Sequence, residues 1–254
     1  MTRDVTPRLE SLSAATPNVR KTYVCSATDH HSSTYGDRGW GCGFRNFQML
    51  LSSLAQDGGP IAQRLSIVGI RRGQMPSISR LQSLIEDSWK KGFDAQGAEQ
   101  LGGKLRNTRK WIGATEIVAC LAALGIKSDL VDFHKPTGAD GSHPALFNWV
   151  ADYFRTRSGR YTPPLYFQHE GHSRTIAGIE ILKNSNGLRL LVLDPSHSKM
   201  ADLTSANAVN VMKGIRKLPS GIKSRQYQIV AVTGVFKNDE EMSRSKRIKS
   251  TRIP

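Results

Sequence analysis

A cysteine stands where a glycine-rich turn gives way to a helix, and this junction constrains the chain more than any other feature. Gly39-Trp40-Gly41-Cys42-Gly43 is followed at once by apolar residues at helical spacing, namely Phe44, Phe47, Leu50, Leu51 and Leu54. The spacing predicts a helix that begins near Cys42 and buries one face. A thiol at a helix N-terminus lies in the positive end of the helix dipole, which favours the thiolate. The pattern therefore indicates a nucleophile, with a buried core cysteine as the alternative.

The length and the lack of apolar runs limit the class of protein. A chain of 254 residues can form one sizeable domain with its own core. No apolar run approaches the roughly 20 residues that span a bilayer, and the N-terminus has no apolar signal core. We expect a protein of the cytoplasm or nucleus that has no membrane partner. We divide it into a flexible segment (1–20), a folded domain (21–236) and a disordered charged tail (237–254).

The cysteine and histidine patterns argue against a metal site. Cys25, Cys42 and Cys120 are scattered and odd in number, which excludes a disulfide framework and disfavours structural zinc. His30 and His31 are adjacent in a polar segment that we interpret as a solvated loop. We therefore predict that the protein needs no metal and no other cofactor.

The net charge of +15 indicates an acidic partner or an anionic surface. The basic residues are dispersed, however, and form no recognisable nucleic-acid-binding motif. We expect the charge to set location or encounter rate, with a weak association with nucleic acid through the basic surface. The basic block 244–249 is a candidate nuclear-import patch or a solvated tail.

Predicted helices come early in the chain and predicted strands come later. The helices are expected at 42–55, 78–91, 114–124 and 144–155. The strands are expected at 128–133, 165–168, 174–182, 188–193 and 226–235. This order predicts an α+β domain with an antiparallel sheet. A cysteine on the first long helix that faces a later sheet is the papain-like arrangement.

A nucleophilic thiol needs a base, and the base needs a group that orients it. His172 enters an apolar strand 130 residues after Cys42, within the separation typical of papain-type enzymes. Asp194 ends the next apolar strand, where it could accept the imidazole N–H and fix the tautomer. His197, in Asp194-Pro195-Ser196-His197, is a rival base.

Gln168, four residues before His172, could donate its amide N–H to an oxyanion beside the backbone N–H of Cys42. One difficulty concerns strand register. Asn186-Gly187 suggests a hairpin turn centred near residue 185, which would place Asp194 opposite Ile176. Pairing with His172 requires a turn centred near Lys183, or a bulge.

Several motifs, in the same order along residues 35–236, resemble the ubiquitin-fold-modifier-specific cysteine protease family. They are Gly39-Trp40-Gly41-Cys42, Arg45-Asn46-Phe47-Gln48, Trp111-Ile112-Gly113-Ala114-Thr115-Glu116, Gln168-x-x-Gly171-His172-Ser173 and Leu193-Asp194-Pro195. The resemblance is closest to the ubiquitin-directed branch of that family, whose larger members carry zinc fingers with no counterpart here.

The resemblance implies a papain-like fold and hydrolysis after the C-terminal glycine of ubiquitin, including polyubiquitin, or of a ubiquitin-like modifier. It implies Cys42 as nucleophile, His172 as base and Asp194 as its orienting carboxylate, with Gln168 in the oxyanion hole. Modifier-directed members carry Asp-Pro-His where this chain has Asp194-Pro195-Ser196, which favours ubiquitin.

Several residues are candidates for contact with the substrate tail, and a non-catalytic function is the alternative. We expect Trp40 and Gly171 to line a narrow channel for the substrate tail. Glu116 is a candidate for binding the arginines of that tail, as are Glu86 and Asp87. The alternative is a non-catalytic, basic nucleic-acid- or chromatin-associated protein on the same scaffold, which the intact Cys42, His172 and Asp194 set argues against.

Overall fold

Helices cover both faces of one large sheet in the computed structural model, which describes residues 1–183 and 187–253. The helices are α1 (Thr6–Ala14), α2 (Cys42–Leu54), α3 (Pro60–Ile67), α4 (Ile78–Lys90), α5 (Ala95–Gln100), α6 (Ala114–Ala123), α7 (Pro144–Thr156), α8 (Ala208–Ile215) and α9 (Asp239–Arg244). The strands are β1 (Val19–Val24), β2 (Ile126–Phe133), β3 (Leu165–His169), β4 (His172–Leu182), β5 (Leu188–Leu193), β6 (Arg216–Lys217), β7 (Tyr227–Val235) and β8 (Ser250–Ile253). None of the helices in the described part of the chain is long and apolar enough to cross a membrane.

The helices and strands that the sequence predicts are present, with bounds that differ by at most two residues. The strand order is β6-β5-β4-β3-β7-β2-β8, and β1 pairs with the second half of β4. Neighbouring described strands are antiparallel except β2 and β8, which are parallel. The sheet is therefore antiparallel, as predicted, except at one edge, where β8 runs parallel to β2.

Alternating side chains in the central strands divide the core into two layers. In β3, Leu165 and Phe167 face a core shared with α1, α7 and α8, whereas Tyr166 faces the core formed by α2, α3, α4 and α6. Ile229 and Val230 of β7 alternate in the same way. Successive side chains of a strand point to opposite faces, so a strand buried on both sides reads as a continuous apolar run.

The N-terminal segment 1–20 is folded, which contradicts the prediction of a flexible segment. Val5 and Leu9, one helical turn apart, are both buried. The Val5 N–H donates to the Thr28 carbonyl, and Thr2 forms a two-way backbone bridge with His30. The apolar residues of the segment span only two helical turns, so they leave a short pattern in the sequence.

The C-terminal tail 237–254 is ordered in its described part (237–253), which contradicts the prediction of disorder. Lys127 of β2 forms an ion pair with Glu241 of α9 at 2.6 Å. Residues 250–253 then add β8 to the sheet beside residues 130–133 of β2. A four-residue strand whose partner lies about 120 residues earlier has no local signature, because backbone pairing across the sheet stabilises it.

Candidate active site

Cys42 is the first residue of α2, and its helix is fastened to the sheet by one buried amide. The Asn46 side chain donates through Nδ2 to the carbonyls of Cys42 (2.8 Å) and Ser173 (2.7 Å). Its Oδ1 accepts from the Thr175 hydroxyl at 2.8 Å. This amide therefore fixes the thiol-bearing helix turn against the beginning of β4.

A second anchor holds the loop that precedes Cys42. The guanidinium of Arg45 binds both oxygens of Asp37, at 2.9 and 2.7 Å, and the Asp37 carbonyl accepts from the Gly41 N–H. Burial acts to raise the pKa of the Asp37 carboxyl, but Arg45 and the hydrogen bonds from Thr34 hold it below its usual value. Two-point binding by an arginine keeps the glycine-rich turn in one conformation.

His172 begins β4 and lies between the thiol and a carboxylate. Its Nε2 donates to Oδ2 of Asp194 at 2.8 Å. The other ring nitrogen, Nδ1, remains for Cys42, and the imidazole is close enough to the thiol to lower the pKa of Cys42. Cys42, His172 and Asp194 therefore lie in series, with His172 between the other two.

A β-bulge solves the difficulty with strand register. Thr175 pairs with Leu193, but the register shifts between Ile176 and Gly178. Continuing the pairing past Thr175 places Asp194 beside Arg174, within diagonal reach of His172 on the same face. Asn186, the first residue of the predicted turn, lies outside the described residues.

The electrostatics favour a thiolate–imidazolium pair. Burial acts to raise the pKa of Cys42, but hydrogen bonds from His172 and from the backbone N–H groups of Ser173 and Gly43 bring it below the ordinary thiol value. The hydrogen bonds of His172 to Asp194 and Cys42 raise its pKa to about 9. Burial alone would raise the pKa of the Asp194 carboxyl, yet His172, Ser196 and Arg174 hold it well below its usual range.

Gln168 lies opposite Ser173 in the β3–β4 pairing, and Asn46 joins Ser173 to Cys42. The Gln168 Oε1 accepts from the Tyr166 hydroxyl at 3.4 Å, which leaves Nε2 as the free donor. A side chain at residue 113 would collide with this amide, because a Cβ on Gly113 would lie 2.8 Å from Nε2. The Gln168 donor is therefore oriented and has space, as an oxyanion hole requires.

The rival histidines are engaged elsewhere. The hydrogen bond of His197 to Asp194 comes from its backbone N–H, which donates to the Asp194 carbonyl at 3.0 Å, and its ring lies against Gly214 of α8. His169 donates from Nδ1 to the Glu170 carbonyl, and its Nε2 accepts from Arg174. Of these three histidines, His172 has the geometry of a base for Cys42.

His30 and His31 are buried, which contradicts their interpretation as a solvated loop. His30 Nε2 donates to the Asp194 carbonyl at 2.9 Å, and the Ser33 N–H donates to the Pro195 carbonyl. Burial lowers the pKa of both imidazoles to about 4. This polar segment supports the loop that carries Asp194, and the folded N-terminus covers it.

Glycines allow close packing around the thiol, and two aromatic side chains lie nearby. A Cβ on Gly43 would be 2.6 Å from the Ile112 carbonyl, so no larger residue fits there. Gly171, at the tip of the β3–β4 hairpin, has a φ of +79° and lies against the half-exposed ring of Trp111. Trp40 is half-buried and packs edge-to-face on Phe44.

Glu116 is unsuited to bind a substrate arginine, which contradicts its assignment as a substrate contact. Only 6% of the residue is exposed, and its carboxylate caps α6 by accepting from the Gly113 N–H at 2.6 Å. Glu86 likewise accepts from the backbone N–H groups of Leu105 and Arg106. Asp87 is the exposed member of the three candidates, and it pairs with Lys90.

The structure adds supporting residues that the sequence analysis does not single out. Asn46 joins α2 to β4, and the Tyr166 hydroxyl joins Gln168 to Ser173. Arg174 donates to the same oxygen of Asp194 as His172 does. Arg174 could have been found, because it shares a strand face with His172 two residues earlier.

A helix-borne thiol that faces a sheet-borne imidazole and carboxylate is the arrangement of papain-like cysteine peptidases. A family model agrees with this class. The model described as "Peptidase family C78" matches residues 18–230, and the chain belongs to this family.

Curated relatives carry names that refer to ubiquitin. The chain is 47% identical over 240 residues to "Zinc finger-containing ubiquitin peptidase 1" of Bos taurus, with 91% of this chain and 40% of that protein aligned. It is 35% identical to "Ubiquitin carboxyl-terminal hydrolase mug105" of Schizosaccharomyces pombe, with 85% of this chain and 84% of that protein aligned. The chain thus spans about two fifths of the length of the first of these relatives and most of the second.

A solved structure confirms the fold. The crystal structure of UfSP from C. elegans aligns with a TM-score of 0.59 over 89% of this chain and 37% of that one, at 20% identity. At this level of identity the likeness confirms the papain-like α+β architecture and nothing about substrate.

Proposed function

We propose that this protein is a cysteine deubiquitinase that hydrolyses the peptide or isopeptide bond after the C-terminal glycine of ubiquitin, including polyubiquitin. The observation that carries the proposal is the arrangement of Cys42, His172 and Asp194, in which His172 binds Asp194 at 2.8 Å and lowers the pKa of the Cys42 thiol. The names of the relatives in cattle and fission yeast support ubiquitin as the substrate.

In the proposed reaction the Cys42 thiolate attacks the carbonyl carbon of the terminal glycine. Negative charge develops on the carbonyl oxygen, and the Gln168 Nε2 and the Cys42 backbone N–H donate to it. The imidazolium of His172 protonates the leaving amine as the C–N bond breaks, which leaves a thioester on Cys42. His172 then takes a proton from water, whose oxygen attacks the thioester, and ubiquitin leaves with a free carboxylate.

The hairpin tip beside His172 suits a substrate that ends in two glycines. Gly171 carries no side chain there and has only the Trp111 ring against it, so a narrow backbone can approach. We propose that Trp40 and Gly171 contact the substrate tail, with the Trp111 ring beside them. Ubiquitin is proposed over a ubiquitin-like modifier because Ser196 stands after Asp194-Pro195, and His197 is turned away from the carboxylate.

A ubiquitin probe with a C-terminal electrophile tests the nucleophile. Cys42→Ala should abolish covalent capture and hydrolysis of a fluorogenic ubiquitin conjugate. Cys25→Ala and Cys120→Ala are matched controls, because burial raises the pKa of these thiols to about 11 and 12. Capture by the Cys42→Ala variant, or no capture by the wild-type protein, would disprove the proposal.

The choice between ubiquitin and a ubiquitin-like modifier needs a comparison of substrates. Fluorogenic conjugates of ubiquitin and of the ubiquitin-fold modifier should be hydrolysed at rates that favour ubiquitin. Faster turnover of the modifier conjugate would assign the protein to the modifier instead.

We also propose that the basic surface associates weakly with nucleic acid, separately from the chemistry, and that the protein works in the cytoplasm or nucleus. The net charge of +15 supports this, as do the basic residues of 244–249, of which Lys246 lies beside Gly92. Binding of a fluorescent oligonucleotide should weaken steeply between about 50 and 200 mM salt. Binding that is insensitive to salt, or no binding at low salt, would contradict this part.

A further inference from the structure

Arg174 binds the carboxylate that orients His172. The Arg174 Nε donates to Oδ2 of Asp194 at 2.9 Å, and His172 Nε2 donates to the same oxygen at 2.8 Å. The other oxygen, Oδ1, accepts from the Ser196 N–H at 2.9 Å. The arginine and the histidine therefore share one acceptor atom, while the backbone fixes the other.

The position of Arg174 follows from the strand geometry. It lies two residues after His172 on β4, so both side chains leave the same face of the sheet. The bulge in β4 brings Asp194 beside Arg174 and leaves His172 as the diagonal neighbour. A second nitrogen of the guanidinium, Nη1, lies 3.4 Å from Nε2 of His169 on β3. The guanidinium thus connects three strands at the active-site edge.

We propose that Arg174 is a positioning residue for catalysis, which holds the Asp194 carboxylate in place and shares its charge with the His172 imidazole. The proposal rests on the proposed function, because it assigns His172 the role of base in the reaction of Cys42. Arg174 itself touches neither the thiol nor the reacting bond in this arrangement.

Several titratable groups surround His172 and Asp194, and together with Arg174 they set the electrostatic environment of the imidazole. Cys42 faces the imidazole from α2, Asp194 from the end of β5, and His169 from β3, with ring centroids 6.0 Å apart. Beyond the carboxylate lie Lys217 and His197, and Arg174 lowers the pKa of each after the larger effect of burial. His169 is neutral when its Nε2 accepts from Arg174, so Arg174 is the permanent cation in contact with Asp194.

A permanent positive charge beside the Asp194 carboxylate destabilises the charged form of His172. Removing the arginine should leave Oδ2 of Asp194 to His172 and make the imidazolium harder to deprotonate. A more basic imidazolium is a weaker acid for the leaving amine, and a carboxylate with one fewer donor orients the ring less well. We therefore expect Arg174→Met to shift the His172 titration upward by about half to one pH unit. Hydrolysis of the ubiquitin conjugate, as kcat/KM, should fall about tenfold.

The experiment measures the imidazole directly, so that it does not depend on the substrate. Protein labelled with [13Cε1]histidine is titrated by NMR, and the His172 signal is assigned by its loss in His172→Gln. In the wild-type protein the midpoint of the His172 titration should lie at about pH 9, and it should be higher in Arg174→Met. Arg174→Lys keeps the charge without the planar fork, so its midpoint should stay close to that of the wild type.

Arg189→Met is the matched control. Arg189 on β5 pairs with Glu180 of β4, which lies six residues after Arg174, roughly 20 Å along the strand. Glu180 keeps Arg216 as a partner, so the control removes an arginine from an ion pair in the same sheet without orphaning the carboxylate. It should leave the His172 midpoint and kcat/KM unchanged per folded molecule.

The outcomes separate the two proposals. If the wild-type protein does not hydrolyse the ubiquitin conjugate, the proposed function fails while the titration still tests the contact of Arg174. If the wild type is active, an unchanged midpoint or an unchanged kcat/KM in Arg174→Met overturns the positioning role. An equal shift in Arg189→Met would also overturn it. Should Arg174→Met not fold by circular dichroism, Arg174→Gln replaces it, with the same shift and loss expected.

Discussion

Replacing the buried Asn46 by alanine should lower both the free energy of unfolding and the activity of this protein. Asn46 is fully buried and makes three side-chain hydrogen bonds between α2 and β4. The alanine variant leaves the Ser173 carbonyl and the Thr175 hydroxyl without their partner in a dry interior. The Cys42 carbonyl also loses a donor. A buried polar group left unpaired costs about 1–3 kcal/mol.

Two such groups give a loss of about 2–6 kcal/mol in the free energy of unfolding. For a domain of this size, about 1 kcal/mol lowers Tm by about 2–4 °C, so we expect a fall of roughly 4–24 °C. Differential scanning calorimetry measures it. The kcat/KM per folded molecule should also fall, because the same amide holds the thiol against the strand that carries His172.

The control for this prediction is Gln56→Ala, near the other end of the same helix. The Gln56 amide donates to the carbonyls of Ser52 and Ala27, but the residue is only partly buried. Water can replace it there, so Tm should fall by no more than about 3 °C. If Asn46→Ala melts within about 2 °C of the wild type and keeps its kcat/KM, the argument that this amide fastens the active site is refuted.

Three further predictions follow from the site and its supports. The kcat/KM profile should rise with pH as Cys42 ionises, which occurs below the ordinary pKa of a thiol. It should fall as His172 loses its proton at about pH 9. A profile that still rises above pH 10 would contradict the ion pair. Glu116→Ala should lower Tm by a few degrees through loss of the α6 cap, with KM for the ubiquitin conjugate unchanged; a raised KM without a change in Tm would restore its role as a substrate contact. Removing residues 1–4 should lower kcat/KM by loosening the segment around His30 that supports Asp194; an unchanged rate would show that this cover is dispensable.

The sequence determined the elements whose physical signal is local. The apolar period of α2 and the glycines before it identify a helix that begins at Cys42, because helix formation depends on neighbours three and four residues away. The runs in β3, β4, β5 and β7 are apolar enough to be read as buried strands. The chain order of Cys42, His172 and Asp194 was therefore readable as a candidate site from spacing alone.

Only the tertiary structure decided the features that depend on partners distant in the chain. The order of residues 1–20 comes from burial in the core and that of the described tail from pairing with β2, and the local patterns in these two segments are short or absent. The bulge after Ile176 decides that Asp194 meets His172 and Arg174, and register is a property of two strands together. Glu116 looks like a free surface carboxylate in the sequence, but the fold buries it as a helix cap. Burial and hydrogen bonding set the role of a charged side chain, and both are fixed only when the chain has packed.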